Sequence, residues 1–221
     1  MLPDFKNKSL LVCALTHRSA LNEPAQSGTA AKESNERLEF LGDAVLELAT
    51  TNFLYNKRPS DPEGKLTAYR SALVRTETLA ATATELGLNK QMYLSKGEEA
   101  GGGRENISLL ADLMEAVIGA IYLDQGFKVV TEFLNKNLFV KFANILESKS
   151  YRDQKSFLQE KVQAKTLPTP VYRVVNESGP DHDKRFTVEA LVGQEVWGVG
   201  EGNSKQRAQQ AAATAALKKL D

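Results

Sequence analysis

Residues 35–48 read NERLEFLGDAVLEL, and they are the part of the N-terminal sequence that indicates its structure most clearly. Its apolar side chains recur three and four residues apart, as along one face of an α-helix; they are Leu38, Leu41, Val45 and Leu48. Its acidic side chains lie at i, i+3, i+7 and i+11; they are Glu36, Glu39, Asp43 and Glu47. The stretch therefore predicts an amphipathic helix with four carboxylates on one face.

A second helix is predicted over residues 108–123, SLLADLMEAVIGAIYL, which hold two charged residues among sixteen. Apolar side chains surround Asp112 and Glu115 on nearly every side, so this helix is expected to be mostly buried. Burying two carboxylates is costly unless cations or hydrogen bonds compensate their charge. Two sources of compensation are open: basic side chains from other helices, such as Arg70 or Arg75, or a cation shared with acids of the first helix.

If the acids of the two helices share a cation, the predicted site is one for magnesium. Glu39 and Asp43 lie at i, i+4 on one helix, and Asp112 and Glu115 at i, i+3 on the other. Mg²⁺ prefers carboxylate oxygens, keeps several waters and binds phosphate oxygens, and such a metal activates water and stabilises charge on a phosphodiester. Metal-assisted phosphodiester hydrolysis is therefore the predicted chemistry. The alternative interpretation is a solvated acidic stripe with no catalytic role.

Composition is that of an ordinary globular protein, with 221 residues, 42% of them hydrophobic and 25% charged. No apolar run approaches the length of a membrane span and no signal peptide is found, so no membrane partner is expected. Cys13 is the single cysteine, which excludes an internal disulfide and a cysteine zinc cluster and fits a cytoplasmic setting. The net charge is zero, with 28 basic and 28 acidic residues, so any binding of nucleic acid depends on where the charges lie.

The hydrophobic periodicity changes near residue 146 and predicts two domains. Residues 1–146 are predicted to be all-α, with helices at about 8–20, 35–56, 63–74, 76–86, 108–124 and 127–146. Residues 147–152 are polar and predict a linker. Residues 153–221 are predicted to form a small α+β domain of order α-β-β-β-α, with helices over 156–165 and 204–220 and strands over 171–175, 186–192 and 195–199.

Several blocks of the chain resemble the ribonuclease III family. The signature block is ERLEFLGDAVLEL (36–48). Other blocks occur in the family's order; they are ALTHRSALNE (14–23), DPEGKL (61–66), RSALVR (70–75), LSKGEEAGGGREN (94–106) and SLLADLMEAVIGAIYLD (108–124). The α-β-β-β-α order resembles the double-stranded-RNA-binding domain. The resemblance covers essentially the whole chain and implies an endoribonuclease that cuts double-stranded RNA.

The resemblance also implies a role for each acid. The metal ligands would be Glu39, Asp112 and Glu115, the catalytic carboxylates Asp43 and Glu115, and the accessory acids of the cleft Glu36 and Glu63. Asp43 would help to position the metal and the attacking water. The implied cofactor is Mg²⁺, with Mn²⁺ as a substitute.

Family membership would further imply a homodimer whose two sites lie in one valley and cut opposite strands. The products would carry 5′-phosphate and 3′-hydroxyl ends with a two-nucleotide 3′ overhang. The implied substrates are precursors of ribosomal RNA, messenger RNA and other structured transcripts.

Three regions of the C-terminal domain are predicted to contact RNA. They are Gln154, Gln159 and Glu160 in or beside the first helix, His182 in the loop between the first two strands, and Ser204, Lys205 and Arg207 at the start of the last helix. Polar side chains reach 2′-hydroxyls in the shallow minor groove, and a helix N-terminus attracts phosphate. Gln206 stands where the family commonly has lysine, which predicts fewer phosphate contacts. The alternative is a protein-interaction module of the same fold.

Two other functions stay open at the level of sequence. One is a non-catalytic RNA-binding protein that keeps the fold, which the four intact carboxylates argue against. The other is a helical metal enzyme acting on small phosphate compounds, which the appended RNA-binding module argues against. Two single residues are also noted. Gly42 lies inside a predicted helix, where a close helix crossing, a dimer contact or simple tolerance would explain it, and His17 is interpreted as structural.

Overall fold

The computed structural model describes residues 1–22, 33–180 and 184–220. The chain divides into two compact units, Met1–Tyr151 and Arg152–Asp221. The division falls inside the segment 147–152 that the sequence predicts as a linker. Tyr151 belongs to the first unit because its ring packs edge-on against Tyr69, with the ring centroids 4.6 Å apart. Within the described residues, no helix is both long enough and apolar enough to cross a membrane.

The first unit is helical, as the sequence predicts. Its α-helices are α1 (Lys8–Ala14), α2 (Glu36–Lys57), α3 (Glu63–Val74), α4 (Thr76–Glu85), α5 (Lys96–Ala100), α6 (Ile107–Asn137) and α7 (Phe142–Glu147). The first half of α6 lies in the core, because every residue from Leu110 to Ile121 is buried except Asp112 and Glu115, which are half-buried. Burial of this apolar helix against its neighbours is the main source of stability for the unit.

The predicted helix over residues 8–20 is wrong beyond Ala14, where α1 ends. The backbone of the next residues pairs with a distant segment instead: Tyr93 N–H donates to Leu15 O at 2.8 Å, and His17 N–H donates to Tyr93 O at 3.1 Å. The chain then forms a short 3₁₀ helix, Arg18–Asn22. Periodicity alone could not show this ending, because the competing hydrogen bonds come from a segment far away in the sequence.

The predicted helix over residues 127–146 is also interrupted. The structure joins its first part to the preceding helix through a kink at Gly126, whose φ of +81° suits a residue without a side chain. The helix ends at Asn137, and a 3₁₀ turn (Phe139–Lys141) precedes α7. The interruption turns Phe139 into the core, where its ring stacks on Phe53 at 4.3 Å between centroids. Helix α5 was not predicted, since five residues are too few to show a period.

Helices α2 and α6 cross in direct backbone contact. A Cβ on Gly42 would lie 1.8 Å from the carbonyl oxygen of Glu115, and a Cβ on Gly119 would lie 2.3 Å from that of Leu38. Neither position therefore has room for any side chain. Of the three explanations for Gly42, the close helix crossing is correct. This crossing brings the acidic faces of the two helices next to each other.

The second unit has the predicted α-β-β-β-α order. Its elements are α8 (Gln154–Ala164), β1 (Val171–Ser178), β2 (Arg185–Val192), β3 (Glu195–Gly202) and α9 (Lys205–Leu217). The strands form an antiparallel sheet in the order β1-β2-β3. The alternation read in the second strand is confirmed, because its buried residues are every second one: Phe186, Val188, Ala190 and Val192. Ser204 caps α9 as predicted, with its Oγ accepting from Arg207 N–H at 3.2 Å.

Small residues let α9 lie directly on the sheet. Ala208, Ala212 and Ala216 are fully buried on this helix. A Cβ on Gly200 of β3 would lie 2.0 Å from the backbone nitrogen of Ala212. The buried core of the unit is completed from α8 by Leu158 and other apolar side chains. Both helices therefore cover the same face of the sheet.

We expect Gly42→Ala to destabilise the first unit by about 3 kcal/mol or more, because the added methyl group meets a backbone carbonyl that cannot move aside. Urea unfolding of the full chain, followed by far-UV circular dichroism, measures this loss. The fluorescence of Trp197, the only tryptophan, reports on the second unit and should keep its midpoint. Gly64→Ala is the control, since nothing lies within 4 Å of its added Cβ. An unchanged unfolding curve for Gly42→Ala would contradict the crossing.

Candidate active site and nucleic-acid interface

Helix α2 presents the acidic face that the sequence predicts. Glu36 begins the helix, and the face continues through Glu39, Asp43 and Glu47. Glu39 and Glu47 are half-buried, whereas Glu36 and Asp43 are exposed. The face therefore runs along the edge of the crossing with α6, with part of each turn in contact with protein and part in contact with solvent.

Three carboxylates from the two helices meet beside the crossing. One oxygen each of Glu39, Asp112 and Glu115 lies within 4.8 Å of the others. Oxygen ligands of one Mg²⁺ or Ca²⁺ ion lie at roughly 2.0–2.6 Å from it, so two of them are at most about 4–5 Å apart. The three oxygens are thus close enough to bind the same divalent cation. All three proposed metal ligands are in this group, and Asp43, Glu36 and Glu63 are not.

Glu115 is the carboxyl whose ionisation is most disfavoured by its surroundings. Burial is the largest cause and the neighbouring charges of Asp43, Asp112, Glu39 and Glu47 add to it, and together they raise the pKa of this carboxyl to about 7. A carboxyl with a pKa near 7 is protonated in about half of the molecules at neutral pH, and a bound cation displaces that proton. The arrangement is therefore costly by itself and favourable with a divalent cation in place.

The other two acids of the group show the same tendency. Burial raises the pKa of Glu39, and the charges of Asp112, Glu36 and Asp43 add to the effect. Burial also raises the pKa of Asp112, while the charge of His17 opposes the rise. Desolvation thus raises the pKa of all three carboxyls, and repulsion between carboxylates adds to the rise at Glu39 and Glu115, as is common for functional carboxylates.

The basic side chains considered as alternatives do not neutralise Asp112 and Glu115. Arg70 pairs instead with Glu47, with Nε 3.0 Å from a carboxylate oxygen. Arg75 donates from Nε to Thr78 Oγ1 at 3.2 Å. The interpretation in which these two arginines satisfy the buried acids is therefore wrong.

Two predicted acids, Glu36 and Glu63, lie outside the group of three carboxylates. Glu36 accepts from Ser34 Oγ at 2.7 Å and lies 3.5 Å from Arg18 Nη1. Glu63 is exposed at the start of α3, where it accepts from Thr67 Oγ1 at 2.9 Å. Glu36 is close enough to Glu39 to influence its pKa. These contacts fit accessory positions outside the shared coordination sphere.

His17 is closer to the site than the sequence suggested. Its Nδ1 lies 2.9 Å from Ser19 Oγ, which also accepts from Ser95 N–H at 3.0 Å. These hydrogen bonds fit the structural interpretation of this histidine. Its charge also lowers the pKa of Asp112, which relates the segment after α1 to the cluster. Its position depends on the pairing with Tyr93, a contact that no local pattern shows.

In the second unit, the predicted RNA-contacting residues that the structure describes lie along α8 and at the start of α9. Gln159 and Glu160 are exposed on α8, while Gln154 is half-buried and its N–H donates to Gln210 Oε1 at 2.8 Å. Lys205 and Arg207 are exposed at the start of α9, whereas Ser204 is half-buried as its N-cap. His182 lies outside the residues that the structure describes.

A polar cleft joins the two helix starts. It has a volume of about 400 Å³ and is lined by Asp153, Lys155, Ser156, Gln159, Pro170, Tyr172, Gln206 and Gln210. Gln159 from the first predicted RNA-contacting region thus shares one surface with Gln206, which adjoins the third region. Burial raises the pKa of the Tyr172 hydroxyl to about 12, so this group stays protonated as a hydrogen-bond donor.

Comparisons with known proteins agree with this geometry. A family model described as Ribonuclease-III-like matches residues 7–142, and one described as Double-stranded RNA binding motif matches residues 154–220. The chain is 45% identical to the Ribonuclease 3 of Roseiflexus sp., over 98% of this chain and 91% of that protein. It is 45% identical to the Ribonuclease 3 of Bdellovibrio bacteriovorus, over 96% of this chain and 90% of that protein.

A solved structure extends the likeness to the fold. The nuclease domain of ribonuclease III from Campylobacter jejuni is 40% identical, with a TM-score of 0.56, and the match covers 63% of this chain and 92% of that one. A helical unit with clustered carboxylates, followed by a double-stranded-RNA-binding domain, defines a metal-dependent endonuclease of double-stranded RNA. This chain belongs to the ribonuclease III family and is an endoribonuclease of that type.

The raised pKa of Glu115 predicts a pH-dependent affinity for divalent cations. Below about pH 7 the cation must displace a proton from this carboxyl, so the affinity should fall about tenfold per pH unit below 7 and level off above it. Titration of the full chain with Mn²⁺, followed by electron paramagnetic resonance of the free ion at pH 6 and pH 8, measures the effect. Glu115→Gln should bind weakly at both pH values. Glu132→Gln, on an exposed part of α6, should behave as the unchanged chain. Equal affinity at both pH values in the unchanged chain would contradict the assignment.

Proposed function

We propose that the chain hydrolyses phosphodiesters of double-stranded RNA with Mg²⁺ held by Glu39, Asp112 and Glu115. One observation carries this proposal: the three carboxylates approach within 4.8 Å in a half-buried setting that raises the pKa of each of them. Oxygen ligands favour Mg²⁺, and Mn²⁺ accepts a similar set, so it should substitute.

The protein's own residues supply position and charge for this reaction. Glu115 lies between the charges of Asp43 on one helix and Asp112 on its own, which makes it the residue most sensitive to an arriving cation. Asp43 is exposed at the edge of the cluster, where it can accept a hydrogen bond from the attacking water and orient it. When bound, the metal would lower the pKa of a water molecule and stabilise charge on the phosphodiester.

The second unit is proposed to hold the duplex by its shape. Gln154, Gln159 and Glu160 would face the minor groove, and Lys205 and Arg207 the phosphates, with Ser204 ordering the start of α9 as its cap. The cleft between the two helix starts supports this role, because it combines polar side chains from both regions. Neutral Gln206 lines this cleft, which favours a modest affinity and a shallow salt dependence. His182 is kept as a proposed groove contact.

The proposed products carry 5′-phosphate and 3′-hydroxyl ends with a two-nucleotide 3′ overhang. Such an overhang needs two sites acting on opposite strands, hence two copies of the first unit. We propose ribosomal RNA precursors, messenger RNA and other structured transcripts as substrates, in the cytoplasm.

In domain terms, residues 1–146 would form the catalytic domain, 147–152 the linker and 153–221 the RNA-binding domain. The segments that the two family models match support these bounds.

The surface of α2 beside the acids supports a homodimer. The side chain of Phe40 is 83% exposed, between the proposed metal ligand Glu39 and the half-buried Leu41. An aromatic ring this exposed is typical of an interface. The groove beside it is mostly apolar, with a lining that includes Leu10, Cys13, Leu38, Leu41 and Leu123. The Campylobacter jejuni structure concerns flexibility in a region involved in dimer formation of that nuclease domain. We propose that Phe40 of each copy enters this groove of the other, which would place the two sites side by side.

Glu115→Gln and Asp43→Asn are each expected to lower the cleavage rate of long duplex RNA by at least 100-fold while leaving duplex binding within about threefold, since each removes charge from the reacting centre and not from the RNA-binding domain. Gel analysis with and without Mg²⁺, together with end mapping, measures rate and product ends. The matched control is Glu132→Gln, which should cleave normally. Cleavage by the unchanged chain in excess EDTA, or blunt product ends, would refute the proposed reaction.

Phe40→Ala is expected to weaken dimerisation about 100-fold or more, because each of the two symmetric contacts loses its aromatic anchor. Sedimentation equilibrium at several concentrations gives the dissociation constant. Tyr55→Ala provides the control, as an aromatic residue that is 70% exposed further along the same helix. A dimer of unchanged affinity in Phe40→Ala would show that the interface lies elsewhere.

A further inference from the structure

An arginine forms an ion pair with the acid at each end of the acidic face of α2. Arg18 Nη1 lies 3.5 Å from the carboxylate of Glu36, the first acid of the face. Arg70 Nε lies 3.0 Å from the carboxylate of Glu47, the last acid, and its Nη1 donates to Thr51 Oγ1 at 3.0 Å. The proposed metal ligand Glu39 lies between these two ion pairs on the helix. Negative charge at the centre of the site is thus flanked by a positive group on each side.

These arginines come from separate elements that are both fixed in place. Arg18 begins the 3₁₀ helix after α1, where Asn35 N–H donates to Thr16 O at 2.9 Å and holds this segment against the start of α2. Arg70 lies on α3. The two arginines are therefore not a local consequence of the α2 sequence, and tertiary packing brings each one to its acid.

A duplex that reaches the metal site meets a strong local repulsion. Residues 1–150 hold 17 basic and 19 acidic residues, so this part of the chain offers no general attraction for RNA. Each phosphate near the site adds a negative charge beside carboxylates that already repel one another. Cations close to the site are needed to offset this repulsion, and Arg18 and Arg70 are in position to do so.

The separation of the two pairs suits a nucleic-acid strand. Glu36 and Glu47 are eleven residues apart on one helix, which corresponds to about 16 Å along its axis. That length would span about five base pairs at the rise of roughly 3.4 Å of B-form DNA, and it spans somewhat more in the A-form duplex of RNA, whose rise per base pair is smaller. The side chains of Arg18 and Arg70 are 72% and 37% exposed, so a ligand can reach both.

We propose that Arg18 and Arg70 bind backbone phosphates of the RNA strand on opposite sides of the phosphodiester that is cut. Glu36 and Glu47 are positioning residues that hold the guanidinium groups ready for the strand. A guanidinium has five N–H donors, so each arginine can keep its carboxylate and also bind a phosphate oxygen. This inference rests on the proposed function of the same site. It gives Glu36 a role that does not involve the metal.

Arg18→Ala and Arg70→Ala should each raise KM for a short RNA duplex about tenfold and leave kcat within about twofold, because a phosphate that does not react is bound equally in the ground and transition states. The slope of log(kcat/KM) against log salt should become shallower by about 0.7–0.9 for each arginine removed. The two losses should add in the double variant, since the sites are far apart. A role limited to surface ion pairing would instead leave both KM and the salt slope unchanged.

Two controls separate binding from folding. Arg173→Ala removes an arginine that pairs with Glu189 on the exposed face of the sheet at 2.7 Å, and it should change neither KM nor the salt slope. Arg18→Lys and Arg70→Lys keep a point charge and should restore most of the salt slope. The lysine variants keep the inference testable even if an alanine variant folds poorly.

Neutral methylphosphonate linkages identify the phosphates directly. A duplex with one mapped cut receives a single such linkage at each of the five positions on either side of it. With the unchanged chain, KM should rise at one position on each side. Arg18→Ala should lose the response on one side and Arg70→Ala on the other. The same response in both variants and the unchanged chain would overturn this inference. Failure of the unchanged chain to cut RNA with Mg²⁺ would overturn the proposed function instead.

Discussion

The contact between the backbones of α2 and α6 is the constraint on which the site depends. Gly42 lies against the carbonyl of Glu115, and Gly119 against that of Leu38, so the two helices approach more closely than side chains would permit. Only at this distance do carboxylates from both helices share one small volume. Their repulsion and burial raise the pKa of Glu115 to about 7, an electrostatic cost that the apolar remainder of α6 offsets.

Charge in the first unit is arranged in a definite order around that contact. The central acids repel one another, which suits a divalent cation, and the outer acids Glu36 and Glu47 hold arginines. Phe40, the residue after Glu39, is exposed beside an apolar groove. One helix therefore presents a proposed metal ligand and two arginine-binding acids along its acidic face, with an exposed aromatic side chain beside them. This division explains why a single 22-residue helix contributes to several parts of the function.

In the second unit, small residues likewise permit close contact between two elements. Glycines of β3 face alanines of α9, so the last helix lies directly against the sheet and its start comes close to the start of α8. Two regions that are proposed to contact RNA, about 50 residues apart in the sequence, thus border one polar cleft. In each unit, the proposed site therefore depends on two elements whose backbones lie closer together than larger side chains would permit.

The sequence by itself determined the class of fold and which acids share a helix face, because periodicity is a local property of the chain: the spacing of Glu36, Glu39, Asp43 and Glu47 requires only that α2 is a helix. It did not determine where α1 ends, since Tyr93 supplies the competing hydrogen bonds. The family resemblance, and not the spacing, named Glu39 with Asp112 and Glu115 as a set of ligands, and the crossing of α2 and α6 brings these three within 4.8 Å. Only the tertiary structure showed that Arg70 pairs with Glu47 and not with Asp112 or Glu115. The physical reason is that the rotation and closeness of two crossing helices are set by contacts between residues far apart in the chain, and no local spacing contains that information.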